Sequence, residues 1–409
     1  MKKKDFAEAG ALYFIATLFN KGIGFVTVPI FSRILTTSDY GTVTTFNSWV
    51  SMISVFISLA LYNAVRNSFV DMDDKERPHF LSTIITFTGL VFLTVMGVCV
   101  VATVFVPRNI NTALIFMCII QSFGYALIND YSYYLMMRYR YKFRAALMVL
   151  PGLISVVLSI FAILFILKDN LYLGRIVPTT AVYGIFAIVV LMAVYSKTKP
   201  ELNLDYLKYG LKIALPLVLH SIALQILSQS DRVMITSLRN AAETGVYSLV
   251  YNLSMIATVI TTSLDGIWVP WFTGKLKERK IREINVLAMD YVHLMTYAMV
   301  ALILVGPEIL KIFADQRYWE GMSIIPPIAL ANYMIFMYTM YVYIEHYYKK
   351  TVYITKNTLI AAGLNVILNF ILIPKYGYVA AAYTTLASYF VAFILHSRYA
   401  KKIEPDIYP

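Results

Sequence analysis

GLISVVLSIFAILFIL, Gly152–Leu167, carries no charge and does not alternate polar with apolar residues. A barrel strand in a membrane would run for about ten alternating residues. A helix needs roughly 20 mainly apolar residues to cross a hydrocarbon core about 30 Å thick. The stretch therefore reads as the body of a transmembrane helix. Working outward, comparable runs fill the chain at 9–33, 42–65, 80–106, 112–137, 145–167, 176–195, 209–238, 245–271, 286–313, 321–348, 352–373 and 377–399. The composition, 59% hydrophobic, agrees. No stretch between these runs is long enough for a soluble domain. The expected fold is an all-α integral membrane protein of about twelve helices.

The connectors set the orientation. Sorted by the side of the membrane they would face, 24 Lys and Arg share the side of the N-terminal Lys2, Lys3 and Lys4, against 8 on the other. Only Lys21, Lys212 and Arg232 fall inside helices. A positive excess across short loops marks the cytoplasmic side, so both termini are expected there. The net charge of +12 then reads as topogenic charge facing an anionic leaflet, and no nucleic-acid partner is expected. The first apolar run is too long for a signal-peptide core, so it is expected to remain in the mature chain. Cys99 and Cys118 have no metal-ligand spacing and read as small apolar residues.

The chain also repeats. Asp39-Tyr40-Gly41 between the first two helices matches Glu243-Thr244-Gly245 between the seventh and eighth, with the glycines 204 apart. Ser51-Met52-Ile53 recurs as Ser254-Met255-Ile256, and Gly174 recurs as Gly377, each 203 apart. Six spans per half preserve topology, so the repeats are parallel, an arrangement common in transporters. The expected division is an N-lobe at 1–196, a cytoplasmic linker at 197–208 and a C-lobe at 209–409.

Several residues are shared with a known family. Gln229-Ser230-Asp231-Arg232, Gly245-Val246-Tyr247-Ser248 and Tyr251 resemble the Wzx-type polysaccharide flippases of the multidrug/oligosaccharidyl-lipid/polysaccharide (MOP) exporter superfamily. So do Pro29, Ser32-Arg33, Leu35 and Asp39-Tyr40-Gly41 near the start. Asn365, Asn369, Ile373-Pro374, Tyr376-Gly377 and Ala380-Ala381-Ala382-Tyr383-Thr384-Thr385 extend the likeness toward the end. The resemblance implies a V-shaped, MATE-like pair of lobes. It also implies transport of undecaprenyl-diphosphate-linked oligosaccharide repeat units for O-antigen, capsule or exopolysaccharide synthesis. The expected location is the bacterial inner membrane. The implied partners are the lipid-linked glycan, membrane lipids, and the polymerase and glycosyltransferases of the same pathway.

Ionisable groups deep in apolar helices are expensive unless paired or wet, and so are candidates for function. Lys21, beside Asn20 and between Gly22 and Gly24, is a point charge that could meet a diphosphate; the alternative is a lysine paired to a buried acid. Asp231 and Arg232 point about 100° apart on a helix, so each needs its own neighbour. Arg232 joins Lys21 and Asn20 as a substrate-binding candidate. Asp231, Asp130 and Asp265 are candidates for taking up a coupling proton or Na⁺. Asp265, close to Trp268, Pro270 and Trp271, also reads as an interfacial residue. Pro216 and Gly210 are candidate bending points. His220 reads as a buried hydrogen-bonded histidine, and Glu345-His346 as an interfacial pair. Of the 32 tyrosines, some belong to interfacial belts, and Tyr125, Tyr131, Tyr133 and Tyr134 could line a cavity.

Thr273-Gly274-Lys275 is not a P-loop, because Val269 stands where the first glycine must be. No catalytic or metal motif is present, and no cofactor is expected; transport is expected to be passive, powered by a separate protein, or driven by a gradient, for which a proton or sodium gradient is the candidate. Two rivals to a glycan flippase stay open. One is a cation-coupled multidrug exporter of the same fold, and the other a membrane polysaccharide polymerase or acyltransferase, which the short outer connectors disfavour.

Overall fold

A computed structural model of the chain describes Ile23 and residues 25–103, 111–254 and 256–408. Among these residues every regular element is a helix. In chain order they are α1 Phe25–Ile34, α2 Thr37–Ser58, α3 Tyr62–Asp71, α4 Glu76–Ala102, α5 Thr112–Met137, α6 Tyr141–Phe161, α7 Leu171–Tyr195 and α8 Leu204–Leu238. Then come α9 Ala241–Ser254, α10 Ile256–Lys277, α11 Ile281–Phe313, α12 Ile325–Tyr347 and α13 Thr351–Ile403. One π turn, Ala162–Ile166, extends α6, and a 3₁₀ segment, Gln316–Ile324, leads into α12.

Nine of the described helical stretches are long and apolar enough to cross a membrane. The twelve expected spans differ from these nine in three places. The first expected span is described only from residue 23 onward, ending in Phe25–Ile34. The eighth coincides with α9 and α10. The last stretch, Thr351–Ile403, holds two helices that meet at Gly377, where φ is +63°. Tyr353 stacks on Tyr399 at 3.9 Å, so α13 folds back on itself as an antiparallel hairpin. Many helices are apolar on all sides, with Val98, Leu304 and Phe370 exposed. A helix that is hydrophobic all round belongs in lipid or a deep core. The chain is a multi-pass membrane protein.

The second expected span, 42–65, is broken. Leu59 and Ala60 have φ of 45° and 52°, a left-handed conformation unusual for residues with a side chain. The break separates α2 from α3 and turns Leu61 fully inward.

The described helices form two compact units, Phe46–Ile222 and Phe25–Thr45 with Ala223 onward. Both junctions lie inside helices, α2 and α8, rather than in the 197–208 connector. Packing thus places 25–45 with the C-terminal half and 209–222 with the N-terminal half, unlike a cut in sequence order. The core of unit 1 gathers Leu61, Phe80, Ile84, Leu127, Tyr131 and Val190. Gly210 of α8 belongs to this core: a Cβ there would lie 3.0 Å from Ile84 Cδ1. Pro216 lies within α8 without ending it. In unit 2 one aromatic cluster joins Trp268, Phe272, Tyr291, Phe336 and Tyr341 with the tail residues Ile407 and Tyr408. A second joins Ala223, Leu227, Ala361, Tyr389 and Ala392.

The repeated acid-x-Gly motifs pack on each other within unit 2. A Cβ on Gly41 would collide with the carbonyl of Ala241, and one on Gly245 with the carbonyl of Thr37. Only glycine lets the two helix starts come this close. Each start carries its own cap. Thr36 Oγ1 accepts from the Asp39 N–H at 3.0 Å, and Asn240 Oδ1 accepts from the Glu243 N–H at 2.9 Å. Glu243 also accepts the Tyr378 N–H at 3.0 Å, which ties the α13 turn to the same place.

Candidate functional site

Asp231 is the centre of a buried polar network in unit 2. It lies on α8 and is 1% exposed. The Tyr247 hydroxyl of α9 donates to its Oδ2 at 2.6 Å, and so does Thr385 Oγ1 of α13, also at 2.6 Å. Asn369 Nδ2 donates to its Oδ1 at 2.7 Å. Around this shell, Asn369 Nδ2 also reaches Asn365 Oδ1 at 3.1 Å, and Ser230 Oγ donates to the same atom at 2.9 Å. Thr384 donates to Asn369 Oδ1.

The local sequence explains the convergence. Asn365 and Asn369 are four residues apart, so they share one helical face. The turn at Gly377 returns the chain so that Thr384 and Thr385 face that pair. A carboxylate in apolar surroundings is tolerated when donors fill its oxygens. Here the donors come from α9 and from both arms of α13. The oxygens of Asp231, Asn365, Asn369 and Thr385 are also the hard ligands that a proton or an alkali cation would seek. Amide flips and hydroxyl rotation could turn them toward such an ion. Among the described residues no cluster of three or more His, Cys, Asp or Glu could hold a metal ion.

Arg232 takes a separate course, as its position on the helix requires. It is 6% exposed. Its Nη1 donates to the Ser228 carbonyl at 2.8 Å and to Gln229 Oε1 at 3.4 Å, and the guanidinium lies 4.6 Å from the Tyr251 ring centre. Among the described residues it makes no ion pair with an acid. Its partners are a cation–π ring and two neutral acceptors.

The other candidates are scattered. Asn20 and Lys21 lie outside the described residues. Asp130 is in unit 1, fully buried on α5, and no side chain donates to either carboxylate oxygen. The backbone of Tyr62, at the start of α3, lies beside its carboxylate. Asp265 is half-buried on α10 and bonded to the Tyr343 hydroxyl. Tyr131 and Tyr134 are core residues, whereas Tyr125 stacks on Tyr183 at 5.2 Å and Tyr133 on Tyr62 at 4.8 Å. Glu345 corrects the interfacial reading, because its side chain is fully buried and paired to His396. Sequence reasoning did not name Tyr247, Asn365, Asn369 and Thr385 as site residues. The available signal was two asparagines at helical spacing inside an apolar run.

These features define a class: a multi-pass helical membrane protein with two helical units and a buried acid wired across several spans. Comparison with known proteins gives the family. Residues 6–274 match the family described as polysaccharide biosynthesis protein, and the chain belongs to it. A protein of the Lsg locus of Haemophilus influenzae is 20% identical over 285 residues, which cover 66% of each of the two proteins. The fold matches the lipid II flippase MurJ in an inward closed conformation, with a TM-score of 0.75 at 15% identity over 96% of this chain and 87% of that one. It also matches a mutant of the Vibrio cholerae MATE transporter VcmN, with a TM-score of 0.62 at 12% identity over 99% of both chains. A multidrug resistance MATE family transporter of the MOP superfamily, inward-facing, gives 0.63 at 12% identity over 94% of this chain and 96% of that one.

Proposed function

We propose that the chain is a flippase that moves an undecaprenyl-diphosphate-linked oligosaccharide repeat unit from the inner to the outer leaflet by alternating access. The glycan would serve O-antigen, capsule or exopolysaccharide synthesis in a bacterial inner membrane, with both termini in the cytoplasm. Membership of a polysaccharide biosynthesis family in a chain made almost wholly of membrane helices carries this reading. Such a chain has little room for soluble catalytic machinery, and its buried charges suit the passage of a charged headgroup.

The residues take distinct roles in this account. Lys21, with Asn20, and Arg232 meet the diphosphate, Lys21 as a point charge and Arg232 as a planar donor. Asp231 takes up the coupling proton or Na⁺. A cation there competes with Tyr247, Asn369 and Thr385 for the carboxylate, and so loosens α9 and α13 from α8. Such an effector acts only if it binds one conformation better than the other. Glycosyltransferases supply the lipid-linked unit and a polymerase consumes it.

Complementation of glycan display in a flippase-null strain tests the reading, with membrane abundance checked for each variant. Lys21→Met and Asp231→Asn are expected to insert normally and lose display, while Lys21→Arg keeps part of it. Full display by both Lys21→Met and Asp231→Asn would remove the substrate and coupling roles together.

A further inference from the structure

We propose that Glu345 and His396 form a second ionisable site, a buried dyad that holds one exchangeable proton. Glu345 lies near the end of α12 and His396 near the end of α13. Their side chains are 0% and 1% exposed, with His396 Nδ1 2.9 Å from Glu345 Oε2. The other atom of each, Glu345 Oε1 and His396 Nε2, is buried and has no partner. A pair kept only for packing would be expected to fill both ends, because an unpaired buried polar atom is costly. An open donor or acceptor at each end is what a proton needs to arrive and leave.

The charge balance favours a single proton. With none the pair carries one negative charge, with two it carries one positive charge, and with one it is neutral. A unit charge this deep in a membrane helix is expensive. Among the described residues no lysine, arginine or acid forms an ion pair with the dyad to offset such a charge. The titratable groups nearby are His346 on α12 and Tyr399 on α13. On the packed neighbours, Asp265 of α10 is bonded to Tyr343, Tyr291 of α11 lies in the aromatic cluster, and α8 brings Ala223 and Leu227. Beyond the end of α13, Glu404 is held by Arg279 at 2.8 Å and by the Tyr348 hydroxyl.

The dyad is linked to the Asp231 network. Tyr338 stacks on His396 at 5.5 Å and on Tyr389 at 6.1 Å, and Tyr389 lies within electrostatic reach of Asp231 and Arg232. Packed rings thus run between the dyad and the surroundings of Asp231. The existence of the dyad does not depend on the flippase reading, but its use in transport does.

The test is ¹⁵N NMR of the full-length protein, histidine-labelled, in lipid vesicles across pH 5–9. The chain has five histidines, and His396→Gln assigns the signal. The His396 protonation midpoint is expected to differ by at least about one pH unit between wild type and Glu345→Gln. Equal midpoints would overturn the proposal, whatever the transport result. Should Glu345→Gln fold poorly, the infrared carboxyl band of Glu345 in wild type and His396→Gln replaces it: a shifted band supports the dyad and an unmoved one sinks it. A shifted midpoint in a protein that moves no lipid-linked glycan would leave the dyad standing and remove the flippase reading.

Discussion

Asp231 and Asp130 are both buried acids in long apolar helices, one in each unit, yet their surroundings are opposite. Asp231 accepts hydrogen bonds from Tyr247, Asn369 and Thr385 on other helices. No side chain donates to Asp130. The difference shows what a buried acid needs in order to hold helices together: donors that reach it from other spans. In unit 2 the carboxylate holds helices together, whereas in unit 1 it sits behind a break in which Leu59 and Ala60 adopt a left-handed backbone.

The sharpest way to break this comparison is to remove the carboxylate of Asp231. Asp231→Ala leaves three buried donors without their acceptor. Interhelical hydrogen bonds in membranes are worth roughly 0.6–1.7 kcal/mol each, so a loss of roughly 2–5 kcal/mol is expected. Tryptophan fluorescence during thermal unfolding in detergent would measure it. An unchanged midpoint would mean that the network does not hold α8, α9 and α13 together.

The next effect comes from the glycine contact that fixes the start of α9. Gly41→Ala drives a methyl group into the Ala241 carbonyl, and overpacking of this kind costs about 1–3 kcal/mol. Gly97→Ala, where nothing lies within 4 Å, is the control and should be neutral or slightly stabilising. Equal stabilities for the two variants, read by the same unfolding assay, would show that the repeated glycines are not a close contact.

Asp130→Asn sharpens the contrast from the other side. It replaces a buried acid that no side chain satisfies with a neutral amide, and stability should be unchanged or higher by up to about 1 kcal/mol. A loss as large as that of Asp231→Ala would show that Asp130 has a partner after all.

The smallest effect belongs to an exposed acid. Asp315 precedes the 3₁₀ segment, and its carboxylate accepts from the Arg317 side chain at 2.8 Å and the Arg317 backbone at 3.1 Å. These bonds hold its pKa below the usual value, the side-chain bond first. A lowered folded-state pKa adds stability above the unfolded value of about 3.9, and that share is lost as the pH falls through the folded value. The stability gap between wild type and Asp315→Asn should therefore be present at neutral pH and close on acidification below about pH 4. A gap that widens instead would contradict the sign.

The sequence disclosed the spans because a membrane helix must be long and apolar. It disclosed Asp231 and Arg232 because charge stands out in such a run. Their separate neighbours followed from angular spacing alone. The donors to Asp231 were not legible, since Asn369 and Thr385 meet only after α13 folds back at Gly377, a long-range event. The acid-x-Gly motifs announced a repeat but not that the two copies pack on each other. Glu345 was misread because it stands near the end of its helix among the tyrosines of 341–348, which suggests an interface. Burial there depends on His396, fifty-one residues away.

The most direct test is translocation of a fluorescent lipid-linked oligosaccharide in proteoliposomes that contain only this protein. An imposed proton or sodium gradient should accelerate transfer between leaflets without ATP, and Asp231→Asn should abolish the acceleration. Transfer that ignores both gradients, or that requires added ATP, would contradict the account.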